Sequence, residues 1–322
     1  MARLTSAEPA TWNAPRPFVP ELALIGSTVA YGATFKIVQT ALEDVSAVGF
    51  ILLRFAVGAA VLMPFAFRRG WRRQGADARV TVRDFALGAA LFGVVGFAGY
   101  WLQNLGLQRT STSNSAFITG LFVVFTPVIE TVVTRRRPPS NVLLAVGISV
   151  LGLYLLEGGT LQLGAGDTFT LGCAFMFGLW IFLGGQLSQR FDPVALTTVQ
   201  LLIFTALAIP VVVVSGLGSI TGRVVLAAVV TGVFCSAGAF TLQLWGQRWV
   251  EPSRAAVILQ FEPIVAGAVG YAVGERLGTL GYVGSVVLFS GIVIAESRVW
   301  RSGRGRARLT DRSSTAENHP DD

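Results

Sequence analysis

Histidine, cysteine, methionine and lysine are almost missing from this chain. One His, two Cys and three Met stand among 322 residues, Lys36 is the single lysine, and 13% of side chains are charged, where soluble domains carry about 25%. Each scarcity excludes some chemistry. The lone histidine, His319, lies in a polar C-terminal stretch, so the sequence offers no Ser–His pairing and no His/Cys/carboxylate cluster at metal-ligand spacing. A metal-dependent or triad-type hydrolase is thereby set aside, and neither a metal nor a cofactor is expected. Cys173 and Cys235 fall inside apolar runs and read as small apolar filler rather than as a disulfide.

What the chain has instead is long oily segments. Hydrophobic residues make up 52% of it. Ten apolar stretches recur near 21–41, 46–67, 84–107, 113–133, 141–157, 168–188, 193–215, 223–247, 253–273 and 279–297, each close to the ~20 residues that cross a bilayer as a helix. They are continuously apolar rather than alternating, which argues against a barrel. The expected fold is an all-α polytopic membrane protein with ten transmembrane helices. The first 20 residues carry four prolines and no signal-peptide core, and read as a cytoplasmic N-terminal segment.

Arginine placement tests that count. With both termini inside, 20 of the 25 basic residues fall in cytoplasmic segments, from Arg3 and Arg16 through Arg135–Arg137 to six tail arginines between Arg298 and Arg312. The alternate loops hold only Arg109, Arg223 and Arg276. This is the bias that sets membrane orientation. The basic balance is then a matter of topology and anionic lipid rather than of nucleic acid. Arginine in place of lysine, with abundant Ala, Gly and Val, points to a GC-rich bacterium and to its inner membrane. The tail from 298 to 322, polar and without apolar period, is expected to be disordered.

The two halves of the chain resemble each other. Leu102-Gln103 to Gly106 matches Leu242-Gln243 to Gly246, Ser113-Asn114-Ser115-Ala116 matches Ser253-Arg254-Ala255-Ala256, and Gly152–Glu157 matches Gly291–Glu296. Thr126-Pro127-Val128-Ile129 lies along the fourth stretch as Glu262-Pro263-Ile264-Val265 lies along the ninth. Five helices per copy is an odd number, so a repeat at 21–157 and one at 168–297 would sit inverted in the bilayer, an architecture of secondary transporters whose substrate site lies between the halves.

Ionisable groups inside a bilayer are costly and mark function by default. Glu262 sits midway along the ninth stretch, directly before Pro263, which cannot donate a backbone bond and leaves a polar notch. The pair is read as marking a central cavity, with Glu262 as a candidate for substrate contact or proton coupling; a structural glutamate at a kink is the competing reading. Pro127 is the corresponding kink in the first half. Lys36 and Arg54 are candidates for an outward vestibule that attracts an anionic or zwitterionic solute, against snorkelling and anchoring as the plainer roles. Gln103 and Asn104 are uncharged cavity candidates, and Trp180 is a candidate pathway lining alongside Trp101 and Trp245. Glu130 is expected to pair with Arg135–Arg137, and Glu275-Arg276 to set the turn before the last helix.

These residues also carry a family likeness. Tyr31–Phe35, Leu53-Arg54-Phe55, Leu102–Leu107, Ser113–Pro127 (SNSAFITGLFVVFTP), Leu259–Pro263 and Gly274–Leu277 together resemble the EamA-type members of the drug/metabolite transporter superfamily over residues 21 to 297. The resemblance implies ten helices in two inverted halves and alternating access that moves a small metabolite or drug across the inner membrane. The chain departs from the pattern in having Tyr31 where that family commonly has Trp, and Gln39 where it often has Lys. Expected partners are a small-molecule solute, the lipid bilayer and protons, with a homodimer left open. A membrane-embedded enzyme, a lipid-handling protein, a non-transporting scaffold and a channel remain alternatives at this level.

Overall fold

The computed structural model describes residues 18–71, 81–109, 112–159, 164, 166–274 and 278–316. Expectations placed on the segment before Phe18, on Arg72–Arg79, on Glu275-Arg276 and on His319 lie outside them. Among the described residues every apolar stretch is helical and no strand forms. The helices are α1 (Val19–Ala41), α2 (Ala47–Arg69), α3 (Val82–Leu107), α4 (Thr112–Gly120), α5 (Phe122–Thr134), α6 (Ser140–Leu156), α7 (Asp167–Ser188), α8 (Pro193–Ser215), α9 (Gly222–Thr231), α10 (Phe240–Gln247), α11 (Pro252–Leu259), α12 (Glu262–Ala272) and α13 (Thr279–Ala316). A π-helical turn, Gly232–Ala239, joins α9 to α10, with the Phe240 N–H reaching back to the Cys235 carbonyl.

Among the described residues eight stretches are long and apolar enough to cross a membrane, α4 with α5, α9 with α10, and α11 with α12 each counting as one; α6, at 17 residues, is shorter. Their outward faces stay apolar, with Val214 at 90%, Phe67 at 82% and Val213 at 78% exposure. Exposed apolar surface on that scale suits hydrocarbon rather than water.

Local chemistry fixes the ends. Ser46, Thr81, Asp192 and Thr221 each accept a backbone N–H in the first turn of the helix they precede, which satisfies donors the helix cannot. Gly70 and Gly216 close α2 and α8 at φ 72° and 86°, a region costly for residues with a Cβ.

Three expectations need correction. The first-half kink does not fall at Pro127, which is buried inside α5; the chain breaks at Leu121, where the Leu121 N–H turns to the Ile118 carbonyl at 3.1 Å. Pro263 does adjoin a break, at Gln260–Phe261, but occupies the first turn of α12, where its missing N–H costs nothing. Counted from Ser113 and Ser253, the two breaks therefore occupy the same register although the prolines do not. The last helix also continues to Ala316 instead of ending at 297, because extending an existing helix needs no new nucleus and arginine and alanine favour it.

Packing repeats with the halves exchanged. α1 lies against α10, α11 and α12, whereas α7 lies against α3, α4 and α5; α2 packs on α8, and α6 on α13. A Cβ on Gly32 would meet the Glu262 carbonyl at 2.9 Å, and one on Gly178 the Thr126 backbone nitrogen at 3.1 Å, so backbone approaches backbone at matching places. The loops obey the same exchange. Ser46 donates its N–H to the Leu217 carbonyl at 3.0 Å, and Asp192 donates its own to the Trp71 carbonyl at 3.2 Å; Asp192 follows Ser46, and Leu217 follows Trp71, by the same 146 positions, so donor and acceptor exchange halves.

Burial is uneven along the bundle. Leu24, Ser27, Thr28, Ala255, Ala256, Val257 and Ile258 are fully enclosed, whereas in α12 only Gly270 is buried. The α11 segment is packed shut, whereas α12 is loosely covered.

Candidate functional site

Where the tight packing stops, a cavity of about 280 Å³ opens between the halves. Its walls come largely from pairs of equivalent positions. Gln103 of α3 faces Gln243 of α10, and Tyr100 faces Phe240, each pair 140 positions apart; Tyr31 and Thr34 of α1 line it together with Phe177 and Trp180 of α7, each pair 146 apart. Phe122 and Glu262, the first residues of α5 and α12, are a further such pair. One half thus supplies a phenyl ring where the other supplies a carboxylate.

Among the described residues neither charge in the wall forms a direct ion pair, although the two are of opposite sign, line the same cavity and act on each other across it. Glu262 is half-buried and makes no ion pair or side-chain hydrogen bond among the described residues; the chain break before it points its carboxylate position at the cavity rather than at a neighbouring helix. Arg54 lines the same cavity from α2. Its Nε donates to the Ser236 hydroxyl at 3.2 Å, and its guanidinium carbon lies 5.0 Å from the centre of the Phe55 ring. Those contacts fix its orientation without neutralising it. The equivalent position in the second half holds Gln200, fully buried, whose side-chain oxygen accepts the Trp180 indole N–H at 3.3 Å.

Polar groups around the charges are partly satisfied by one another. The Tyr31 hydroxyl donates to the Gln243 side-chain oxygen at 2.9 Å. Thr34 and Cys235 are 2.9 Å apart, and the Cys235 thiol reaches the Ala30 carbonyl at 3.3 Å. Trp180 stacks on Phe92 at 5.6 Å with 12° between the planes and meets Phe240 edge-on. The cavity therefore has rigid aromatic walls and a few convergent polar groups, the arrangement expected of a small-molecule site.

Of the residues singled out in the sequence, Glu262, Arg54, Gln103 and Trp180 come together here. Lys36 does not line the cavity; its amine donates to Gln39 one turn on, at 3.0 Å. Asn104 follows Gln103 but faces elsewhere, and Trp101 stacks on Phe97. Among the described residues Glu130 forms no ion pair with Arg135–Arg137: it accepts the Ser253 N–H at 3.0 Å and the Ser253 hydroxyl, capping α11. Tyr31, Gln243 and Phe122 went unmarked as site residues, and Cys235, read as filler, is in the wall. The repeat itself was the missed signal, since Gln243 matches Gln103 and Phe122 occupies the place of Glu262.

A bundle of membrane-crossing helices with a charged, aromatic-walled cavity at its centre defines a polytopic membrane protein built to hold a small solute. The EamA-like transporter family model matches residues 19–157 and again 164–296, and the chain belongs to that family of membrane transporters. An uncharacterised transporter of Archaeoglobus fulgidus is 31% identical over 285 residues, 87% of this chain and 86% of the relative. The uncharacterised transporter YyaM of Bacillus subtilis is 24% identical over 85% of this chain and 92% of its own length. A solved structure with a TM-score of 0.71 and 15% identity covers 87% of this chain and 97% of that one; it shares the fold.

Proposed function

We propose that the protein is a secondary transporter that carries a small organic metabolite or drug-like solute across the bacterial inner membrane by alternating access. Ten transmembrane helices, two inverted five-helix repeats and both termini in the cytoplasm are part of this reading. Exchange of packing partners between halves supports the inversion, since Ser46 and Asp192 make equivalent contacts in loops that the arginine bias puts on opposite faces. Under that orientation the loosely covered α12 leads outward from the cavity. The observation that carries the reading is the pair Glu262 and Arg54, two opposite charges that line one cavity between the halves without closing into a direct ion pair among the described residues. A solute of complementary charge supplies what they lack, and a proton on Glu262 gives a route to coupled export.

The test compares solute pools inside and outside cells that carry the wild type, Glu262→Gln or empty vector. A solute whose distribution changes only with the wild type supports the reading and identifies the cargo. Identical pools for wild type and vector, with the protein confirmed in the membrane, argue against it.

A further inference from the structure

The cavity's sealed end is held by a charge cluster that the transport reading leaves unused. Arg254, in the first turn of α11, places one guanidinium nitrogen 3.1 Å from Glu21 of α1 and 2.5 Å from Glu296 of α13, with side-chain exposures of 14%, 12% and 12%. The neighbouring residue, Ser253, gives its N–H and hydroxyl to Glu130 of α5. Three elements from both halves thus converge on a single turn. That turn leads through Ala255, Ala256, Val257 and Ile258, all fully enclosed, to Leu259 in the cavity wall.

The central position of the cluster differs between the halves in sequence. Under the repeat offsets, Glu21, Arg254 and Glu296 correspond to Asp167, Asn114 and Glu157. Both acidic positions are kept as acids in the sequence, but the position that holds a guanidinium in one copy holds an amide in the other. An enclosed carboxylate–guanidinium–carboxylate group resists separation until water reaches it, because parting the charges while they stay buried leaves them uncompensated.

We propose that Glu21, Arg254, Glu296 and the Glu130–Ser253 contact form a one-sided gate latch, which holds the cavity shut at the α11 end and must open for the cavity to be exposed there. The proposal rests on the alternating-access reading. The difference between Arg254 and Asn114 makes the two ends unequal, so the resting state is the one closed at the latch. The remaining oxygens Glu21 Oε2 and Glu296 Oε1, and Arg254 Nε, are buried without partners. That incomplete satisfaction keeps the clasp breakable, whereas a fully satisfied network would fix one state.

The test uses cysteine accessibility and needs no cargo, so it stands apart from whether a solute is found. In a full-length background with Cys173→Ala and Cys235→Ala, Ser27→Cys reports the sealed path, where Ser27 is fully enclosed, and Val38→Cys reports the open end. A membrane-impermeant maleimide is applied to right-side-out and inverted vesicles. Arg254→Asn and Glu296→Gln are expected to raise Ser27→Cys labelling from the latch side about tenfold or more while lowering Val38→Cys labelling from the other. Unchanged labelling overturns the latch. A rise at both reporters from both sides also overturns it, since that marks general loosening. Glu296→Gln keeps a hydrogen-bonding side chain in place, so a folding failure confined to Arg254→Asn leaves the test intact. A solute that moves normally while labelling stays unchanged would sink the latch alone.

Discussion

The Gln260 side chain donates from Nε2 to the Gly120 carbonyl at 2.5 Å, and each residue stands at the break in its own half. The carbonyl that the α4–α5 break frees is thus met by the side chain that opens the α11–α12 break. Gln260 is 1% exposed, so water cannot replace it. Gln260→Leu is expected to lower the unfolding midpoint in detergent, at a cost of about 1–3 kcal/mol for a buried acceptor left bare. Gln260→Glu is expected to be worse, since it sets a second acceptor against the first. Thermal unfolding of the purified variants decides both.

Glu262 is the first residue of α12, where a carboxylate gains from the helix dipole only about 0.3–1 kcal/mol. Glu262→Gln is therefore expected to leave expression and unfolding nearly unchanged while transport is lost. Glu262→Asp keeps the charge but draws it back by one methylene, and partial transport is expected. Normal transport by the glutamine variant would reduce Glu262 to a helix-start residue.

Arg54 is aimed by Ser236, so the two positions should fail in graded order. Arg54→Gln, which installs the residue type found at Gln200, is expected to raise KM roughly tenfold with a smaller change in kcat, the pattern of lost ground-state binding. Ser236→Ala frees the guanidinium without removing it and is expected to produce a fraction of that effect. Initial-rate measurements on vesicles separate the two parameters. A large kcat loss in Ser236→Ala would assign the hydroxyl to helix packing instead.

Gly32 and Gly147 offer a packing contrast. A Cβ at Gly32 would lie 2.7 Å from the Val265 Cβ and 2.9 Å from the Ala266 backbone nitrogen, whereas one at Gly147 meets nothing within 4 Å. Gly32→Val is expected to destabilise by about 1–3 kcal/mol through overpacking. Gly147→Ala is expected to stabilise α6 by roughly 0.5–1 kcal/mol, because glycine is a poor helix-interior residue. Unfolding curves of both variants beside the wild type give the sign of each.

Much of the helical framework was legible, and the reason is visible in particular residues. Continuous apolar runs bounded by Ser46, Thr81, Asp192 and Thr221 leave the backbone few other ways to satisfy itself, so boundaries fell within a few residues. The break at Leu121 was not legible, because leucine and its neighbour Gly120 are both tolerated within helices and the acceptor's partner is 140 residues away. Glu262 and Arg54 stood out because charge in an apolar run is rare. Glu130 was assigned the nearest cations in sequence; its partner is an N–H donor on another helix, which proximity along the chain does not report. Lys36 stood out for the same reason as Glu262, yet its long stem let the amine turn back to Gln39.

Thr81 and Thr221 cap helices that reach Gln103 and Gln243 after equal numbers of residues, yet only the second path passes through the π-helical turn Gly232–Ala239. A wider turn takes more residues per revolution and climbs less. Like two staircases with equal steps and unequal pitch, they deliver their glutamines at different heights and compass bearings. The chamber is consequently lopsided in shape as well as in charge. A small molecule turned end for end would meet a different room, so the chamber itself distinguishes one orientation from the other.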